Sequence, residues 1–470
     1  MLFSLLGCTF KDYASEDGDD LFKKATLTNS NGSSVKASTK QAVGEVINIK
    51  LPKATTLNTI VLGESKSIIT GFEFSYKDME SGEMKKFYAQ DLVEDYRYCT
   101  FKAVTTDTIQ LKVTSTLDNQ KWNLNKLRAY NISQTNKSDF NVFAYSVLGY
   151  AYDGVDPALF DTVTHVDIFR NINFDFEGNL VYWGIERDGE KLDGKMVFEK
   201  ELANYRKAIG NRNTKIVVTL INDSGNVNDA HNSVFTTYKD KFIKNILALI
   251  EEYQLDGIGF DYEYCNTMAD YKNYGDFIKE LKQAMPKDKI LSVALCNWQF
   301  KPGLFPKNAI PYIDMIQLMT YDMFEGTNYH STFQVSVMDA LSEFAFCAGK
   351  KYLNKVNLGL PFYARPTGEW RADWIGYNSW VENQERFKFA STADYFSNKA
   401  DCNYEIEPGN PKSQCDGLYF NSPQMIYDKT SFAIDNKLGG VMFWHMACDL
   451  PQDHPLSLIR AINSSINDRK

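Results

Sequence analysis

Three acidic residues fall within eight positions of the otherwise apolar segment 255–264 (LDGIGFDYEY). Asp261 and Glu263 are two positions apart, so in a β-strand their side chains share one face, with Gly259 also on that face. Unpaired carboxylates are costly in a buried strand, which favours a functional site over a solvated edge. Two close carboxyl groups in a cleft push their pKa values apart, and one is kept as an acid. Such a pair suits protonation of a glycosidic oxygen during glycoside hydrolysis.

The segments around this pair predict the scaffold that positions it. Eight short apolar runs alternate with amphipathic helical segments, at residues 142–145, 166–169, 215–221, 257–260, 290–295, 315–319, 356–360 and 440–444. Their number and span predict an α/β fold, a (β/α)8 TIM barrel over residues 141–465, with catalytic side chains at the carboxyl ends of the strands. A doubly wound sheet would give a similar pattern, but no Gly-rich phosphate loop follows the first run. The long interval before the eighth run predicts an insertion after strand 7, around residues 366–425.

Residues 20–133 have a different pattern, with short alternating strands separated by polar turns and no convincing helical segment. This pattern predicts an N-terminal all-β sandwich domain, joined to the barrel by a polar linker at residues 134–140. The pieces NTIVLGES, GFEFSYKD, TFKAVTTDTIQLKV and WNLNKLRAYN resemble a discoidin-like, galactose-binding-like domain. The resemblance implies a possible carbohydrate-binding role through loop aromatics such as Trp122 or Tyr98, with packing in the core as the alternative for both.

Composition narrows the class of partner. The chain has 470 residues, of which 44% are hydrophobic, 24% charged and 14% aromatic, so it is globular and should contain at least two domains. A net charge of -9 opposes binding to nucleic acid and to anionic lipid headgroups. A neutral ligand such as a sugar fits better, although aromatic residues in such numbers can equally form the core.

The N-terminus and the cysteines suggest a compartment. Residues 5–8 (LLGC) resemble a bacterial lipobox, which implies lipidation of Cys8, a leader and tether over residues 1–19, and export to a cell-surface or periplasm-facing position. A merely hydrophobic N-terminus is the alternative. No apolar run reaches the length of about 18 residues that a membrane-spanning helix needs, so Cys8 offers the one membrane attachment. No CxxC spacing predicts a metal site, Cys402 and Cys415 form a candidate disulfide, and the other cysteines are expected to be buried apolar fillers.

Four motifs follow one another along the predicted barrel: DGIGFDYE, IQLMTYD, LGLPFYAR and GGVMFWHMACD. Together they resemble glycoside hydrolase family 18, and its chitinases in particular. The fourth run, DGIGFDYE, resembles the family's D-x-x-D-x-D-x-E, with Gly259 in place of the second Asp. IQLMTYD in the sixth run, LGLPFYAR in the seventh and GGVMFWHMACD in the eighth resemble the family's next signatures. The resemblance covers residues 139–465. The change at Gly259 predicts that Asp261 ionises at a lower pH and that the pH profile is altered.

The resemblance implies a retaining mechanism in which the substrate's own 2-acetamido oxygen attacks the anomeric carbon. Glu263 would be the general acid and then the base, Asp261 would orient the acetamide, and Tyr321 would hydrogen-bond its oxygen. Trp444 would form the apolar floor of the subsite. The remaining substrate-binding candidates are Asp256, Met319, Asp322, Gln317 and Tyr145. No cofactor or metal is implied, because the substrate supplies the nucleophile.

Three functions remain open at this level. The first is a chitinase-type enzyme acting on β-1,4 bonds between N-acetylglucosamine units, as a monomer. The second is an endo-β-N-acetylglucosaminidase that cleaves the chitobiose core of N-glycans with the same chemistry. The third is an inactive chitinase-like lectin, which retention of both Asp261 and Glu263 disfavours.

Overall fold

The structure, a computed structural model, describes residues 18–133, 140–222, 226–263, 265–300, 304–324, 327–367, 374–384, 393–401, 404–405, 414–415 and 417–469. No helix in these ranges is long and apolar enough to cross a membrane. The leader with Cys8, nearly all of the linker and Cys402 lie outside the described residues. Lipidation, export and the Cys402–Cys415 disulfide therefore stay predictions.

Six strands form the N-terminal β-domain: β1 Thr26–Thr28, β2 Val46–Gly63, β3 Ile69–Lys77, β4 Met84–Gln90, β5 Arg97–Thr116 and β6 Lys126–Tyr130. They belong to one antiparallel sheet in the order β1-β2-β5-β3-β4, with β6 added on β2. The long pair β2 and β5 contains two register shifts, which bend it. Both halves of β2 contribute apolar side chains to a single core. The all-β prediction is confirmed, and the discoidin-like resemblance stays a prediction.

The two aromatic residues considered for sugar binding in this domain are packed inside the protein. Trp122 and Tyr98 are both 0% exposed. The Trp122 indole donates to the Ala42 carbonyl at 3.0 Å, and the Tyr98 hydroxyl donates to Asp435 at 2.8 Å. Their alternative role, packing in the core, is the one that the structure shows.

Eight parallel strands close into a barrel: β7 Asn141–Val147, β8 His165–Phe174, β9 Lys215–Ile221, β10 Gly257–Asp261, β11 Ile290–Cys296, β12 Met315–Met319, β13 Val356–Pro361 and β14 Gly440–Trp444. Each strand pairs with its neighbours in the chain, and β14 closes the ring on β7. All eight runs predicted from the sequence are barrel strands. They are apolar nearly throughout because helices cover them outside and side chains fill the interior.

Helices cover the outside of the barrel: α1 Gly194–Ile209, α2 Val227–Phe235, α3 Lys239–Glu252, α4 Met268–Ala284, α5 Ala340–Phe344, α7 Pro423–Asp435 and α8 Leu458–Asp468. A further short helix, α6 Tyr377–Glu382, lies in the segment between β13 and α7. The start of α4 is fixed by a capping box between Thr267 and Asp270. Asp270 also accepts from the backbone N–H of Asn266 at 2.9 Å. These bonds anchor the far end of the loop that follows β10.

The insertion predicted after strand 7 is present between β13 and α7. Its described part contains a small antiparallel sheet formed by Ile375–Gly376, Tyr363–Pro366, Leu418–Tyr419 and Lys399–Ala400. The sheet is built beside the carboxyl ends of the barrel strands, because Tyr363 follows directly on β13. It thereby forms one wall of the cleft described below.

The β-domain packs on the barrel over α7, which is buried at all 13 positions. Arg97 of β5 forms an ion pair with Asp428 of α7 at 2.6 Å, and their side chains are 1% and 0% exposed. Tyr98 belongs to the same apolar core as barrel residues and packs edge-on against Phe432 with ring centroids 5.2 Å apart. The two domains therefore share a core instead of being joined by the linker alone.

Candidate active site

A cavity of about 510 Å³ opens at the carboxyl ends of the barrel strands. Seven strands, or the loops that follow them, contribute side chains to its wall. The insertion that follows the remaining strand, β13, contributes the others. Its lining consists of Tyr145, Phe169, Arg170, Ile221, Asp261, Glu263, Ala294, Cys296, Trp298, Met319, Tyr321, Asp322, Met323, Tyr363, Arg365, Trp374 and Trp444. Aromatic rings and a few charged groups dominate this list, as in a binding site for a flat, neutral ligand.

The two acids predicted from the fourth strand both reach the cavity. Asp261 is the last residue of β10 and is 9% exposed, while Glu263 follows in the loop and is partly buried. Burial, then the charges of Glu263 and Asp167, raise the pKa of Asp261 well above its usual range. Burial also raises the pKa of Glu263, and the charge of Asp322 adds to this rise. The pair therefore holds a proton at a pH where exposed carboxyl groups have lost theirs.

The expectation that Gly259 lowers the pH at which Asp261 ionises compares this chain with one that has Asp at 259, and it stays a prediction. The change at Gly259 removes one carboxylate from the motif, but Asp167 of β8, on the other side of β9, raises the pKa of Asp261. The motif alone could not show this, because Asp167 lies about 90 residues earlier in the chain.

Cys296, expected to be an apolar filler, lines the cavity beside the acid. Its thiol Sγ lies 3.3 Å from Glu263 Oε2 and donates a hydrogen bond that opposes the rise in the pKa of Glu263. The backbone N–H of Cys296 donates to Gln299 Oε1 at 2.7 Å, and Gln299 Nε2 donates to the Tyr262 carbonyl at 3.2 Å. Gln299 thus links the end of β11 to Tyr262, the residue that precedes Glu263.

Asp322, at the end of the sixth strand, is held in a polar cluster. Arg365 Nε donates to Asp322 Oδ1 at 2.6 Å, and the Tyr363 hydroxyl donates to Oδ2 at 2.8 Å. Burial raises the pKa of Asp322, but contacts with His330 and with Arg365 outweigh it and hold that pKa below its usual range. Burial lowers the pKa of His330, so the imidazole is neutral near pH 7 and Arg365 carries the balancing charge.

Aromatic side chains form the floor and the rim of the cavity. Trp444 packs edge-on against Phe169 with centroids 5.0 Å apart and lies 5.5 Å from the Tyr145 ring. Trp298 and Trp374 remain 38% and 49% exposed although both line the cavity. An aromatic floor with exposed indoles at the rim can stack on the apolar faces of sugar rings.

The structure brings seven of the nine predicted site residues together, and two are elsewhere. Asp256 precedes β10 at the opposite, amino-terminal end of the barrel, where it accepts from the Ile216 N–H at 2.9 Å and pairs with Lys215 at 3.2 Å. Its assignment to substrate binding is corrected, because a strand of five residues separates it from the cleft.

Gln317 is the second residue that does not line the cavity. It is 0% exposed inside the barrel, where it donates to Ser292 at 3.0 Å and accepts from Asn357 at 3.0 Å. Its side chain is fully engaged in holding β11, β12 and β13 together. Among the described residues, no group of three or more His, Cys, Asp or Glu side chains could hold a metal ion.

Comparison with known proteins gives a family and two kinds of relative. The model of Glycosyl hydrolases family 18 matches residues 127–449. The cortical fragment-lytic enzyme of Bacillus anthracis is 23% identical over 309 residues, which cover 61% of this chain and 69% of that protein. Probable chitinase 2 of Drosophila melanogaster is 22% identical over 251 residues, covering 45% of this chain and 51% of that protein.

Solved structures share the barrel. A chitinase from Bacteroides thetaiotaomicron has a TM-score of 0.53 at 20% identity, covering 70% of this chain and 97% of that chain. A class V chitinase variant from Nicotiana tobaccum, solved in complex with NAG4, has a TM-score of 0.54 at 17% identity, covering 69% and 98%. These likenesses support the fold, while the family model covers well over half of the chain. The chain therefore belongs to glycosyl hydrolase family 18 and is a glycoside hydrolase of the chitinase family.

Proposed function

We propose that the cavity hydrolyses β-1,4 bonds next to N-acetylglucosamine, with retention and with the substrate's acetamido oxygen as the nucleophile. One observation carries this proposal. Asp261 Oδ1 is buried and accepts no hydrogen bond from the described residues, although it lies in the same cleft as Glu263. A buried carboxylate oxygen without a donor is costly, and the N–H of an acetamido group is a donor that would satisfy it.

Each neighbouring group has a role in this chemistry. Glu263, with its raised pKa, keeps the proton that the leaving glycosidic oxygen needs and afterwards accepts one from water. Asp261 stabilises the positive charge that develops on the acetamido nitrogen. The Tyr321 hydroxyl contacts the Met442 sulfur at 4.0 Å, which is a weak acceptor, so it can turn to the acetamido oxygen.

The walls fit a sugar chain better than a compact ligand. Trp444 provides the apolar floor beside Tyr145, and Met319 packs in the same interior cluster. The exposed indoles of Trp298 and Trp374 extend the aromatic surface toward solvent, as a substrate longer than one sugar ring would require. Chito-oligosaccharides are therefore the first choice of substrate. The chitobiose core of N-glycans contains the same reacting unit and is the second.

The test uses N-acetylated chito-oligosaccharides, their deacetylated counterparts and a high-mannose glycoprotein. We expect cleavage of the acetylated chain only, with the β-anomer as the first product seen by NMR, because the nucleophile belongs to the acetamido group. Release of the N-glycan would instead assign the endo-β-N-acetylglucosaminidase activity. Binding without any product would assign the lectin function and refute hydrolysis.

The Glu263→Gln variant removes the proton donor while it preserves the shape of the side chain. We expect its kcat to fall by about 10²–10⁴-fold, the range for a general acid. Glu252→Gln is the matched control, because Glu252 is 55% exposed and pairs with Lys195 at 3.2 Å on the outside of the barrel. A Glu263→Gln protein that hydrolysed substrate at the wild-type rate would refute the assignment.

A further inference from the structure

A third carboxyl group lies behind the active-site pair, inside the barrel. Asp167 belongs to β8 and is 0% exposed. The Thr219 backbone N–H donates to its Oδ1 at 3.0 Å, and the Thr219 hydroxyl donates to its Oδ2 at 2.7 Å. Buried carboxyl groups are rare unless they are paired, so this one needs a reason. Asp167 does not line the cavity and has no part in the chemistry proposed above.

The position of Gly259 supplies that reason. A Cβ atom built on Gly259 would overlap the Thr219 hydroxyl and lie 3.3 Å from Asp167 Oδ2. The φ angle of Gly259 is not positive, so the backbone does not require glycine there. What requires it is space: the Thr219 hydroxyl occupies the place of a side chain at 259, and the Asp167 carboxyl group to which it donates lies next to it. Gly259 therefore makes room for the pair of Asp167 and Thr219.

We propose that Asp167 is a positioning residue that supplies, from the second barrel strand, the carboxylate that the fourth-strand motif lacks at Gly259. Gly259 precedes Asp261 by two positions in β10, so both face the barrel interior. The Asp167 carboxylate therefore reaches the region behind Asp261 from β8, whereas the second Asp of the motif would reach it from β10 itself. This inference rests on the proposed function, which uses the charge of Asp261, because it assigns Asp167 a part in setting that charge.

The electrostatic effect follows from the groups that face Asp261. Burial raises the pKa of Asp167 to about 7, although the bonds from Thr219 lower it. Its charge then raises the pKa of Asp261, after burial and Glu263, while Arg170 lowers it. The other titratable groups that face Asp261 have raised pKa values and stay neutral near pH 7; they are Tyr145, Tyr274, Cys296 and Tyr321.

The Asp167→Asn variant keeps the shape but removes the charge. Its amide oxygen can still accept from the Thr219 N–H, and its amide nitrogen can donate to the Thr219 hydroxyl, which donates to the carboxylate in the wild type. If Asp261 acts as an anion, the acidic limb of kcat/KM against pH reports its ionisation. We expect that limb to move to lower pH by about one unit, because a like charge has been removed. A merely structural role for Asp167 would lower kcat at every pH and leave the limb in place.

A second variant moves the carboxylate from β8 to position 259 of β10, where the motif has its second Asp. Asp167→Asn combined with Gly259→Asp and Thr219→Ala gives the new side chain room, because alanine lacks the Thr219 hydroxyl that a Cβ atom at 259 would overlap. We expect the acidic limb to return toward that of the wild type. Should Asp167→Asn fail to fold, Thr219→Val removes one donor to Asp167, raises its pKa, and should move the acidic limb to lower pH as well.

A measurement without substrate separates this inference from the proposed function. A carboxyl group whose pKa is about 7 in the folded chain and ~3.9 when unfolded reduces stability as the pH rises between those values. The Tm of Asp167→Asn relative to the wild type should therefore be higher at pH 8 than at pH 5.

Glu201→Gln is the control for the acidic limb of kcat/KM. Glu201 is 1% exposed in α1, burial raises its pKa, and it is not among the cavity residues.

The outcomes are distinct. A wild-type protein that hydrolyses no N-acetylglucosamine polymer refutes the proposed function, and the Tm comparison then decides on Asp167 alone. An active wild type whose acidic limb is unmoved in both Asp167→Asn and Thr219→Val overturns the inference. A shift of the limb that Glu201→Gln reproduces also overturns it.

Discussion

The Arg97→Met variant tests whether the β-domain and the barrel form one cooperative unit. Removing one member of a buried ion pair leaves an uncompensated charge and costs about 3–5 kcal/mol. Asp428 keeps four other hydrogen bonds, from the Tyr88 hydroxyl at 2.6 Å, Thr100 N at 2.9 Å, Thr100 Oγ1 at 2.8 Å and Gln424 Nε2 at 2.9 Å. We therefore expect the lower end of the range, about 3 kcal/mol. At about 2 °C per kcal/mol for a large unit, Tm falls by about 6 °C.

The assay is chemical and thermal unfolding of the full chain, followed by tryptophan fluorescence. Trp122 lies in the core of the β-domain and Trp380 in the core shared with the barrel, so the signal reports both parts. The wild type should unfold in one transition. In Arg97→Met the midpoint should fall, or the curve should separate into two transitions as the domains lose their coupling.

Lys50→Met is the matched control, because Lys50 pairs with Asp107 at 2.5 Å in the same domain but is 52% exposed. An exposed pair contributes about 0–1 kcal/mol, so this variant should unfold almost like the wild type. If Arg97→Met lost no more stability than Lys50→Met, the two domains would not be held together by the buried pair.

Further predictions concern the acid and the floor of the cleft. Cys296→Ala removes the thiol that lowers the pKa of Glu263, so the alkaline limb of the kcat/KM profile should move to higher pH, whereas Cys296→Ser should leave it nearly in place. Asp322→Asn removes a charge that raises the same pKa, so the alkaline limb should move to lower pH. If the limb moved in the same direction in Cys296→Ala and in Asp322→Asn, this account would be contradicted. Trp444→Ala should raise KM for chito-oligosaccharides by about tenfold through lost stacking, measured by steady-state kinetics, and an unchanged KM would remove Trp444 from the substrate site.

The barrel could be predicted because its strands are buried on both faces. Such strands form apolar runs that stand out against the amphipathic helices between them, and the helix after β9 and the helix after β10 show the expected periodicity in the sequence. The packing of the β-domain on α7 could not be predicted. Ion pairs such as Arg97–Asp428 join positions more than 300 residues apart, and neither residue stands out locally.

The misplacement of Asp256 has a simple geometric cause. A motif written along a strand does not say at which end of the strand each residue lies, and Asp256 comes five positions before Asp261, which places it at the opposite end of β10. Asp167 was detectable, because it interrupts the apolar run at residues 166–169 in the same way as Asp261 ends its own strand. Its partner Thr219 lies on another strand, and sequence alone does not show that the two meet.

Hydrogen bonding separates the scaffold of this barrel from its site. Gln317 donates to Ser292 and accepts from Asn357, so it joins three strands without a ligand. Asp261, by contrast, has a buried oxygen for which the described residues provide no donor. A buried carboxylate oxygen without a donor is costly, and a bound molecule that donates to it would remove that cost. Under the proposed function the acetamido N–H of the substrate donates to this oxygen. The missing donor distinguishes Asp261 from Gln317, although both are buried polar residues on inward-facing barrel positions.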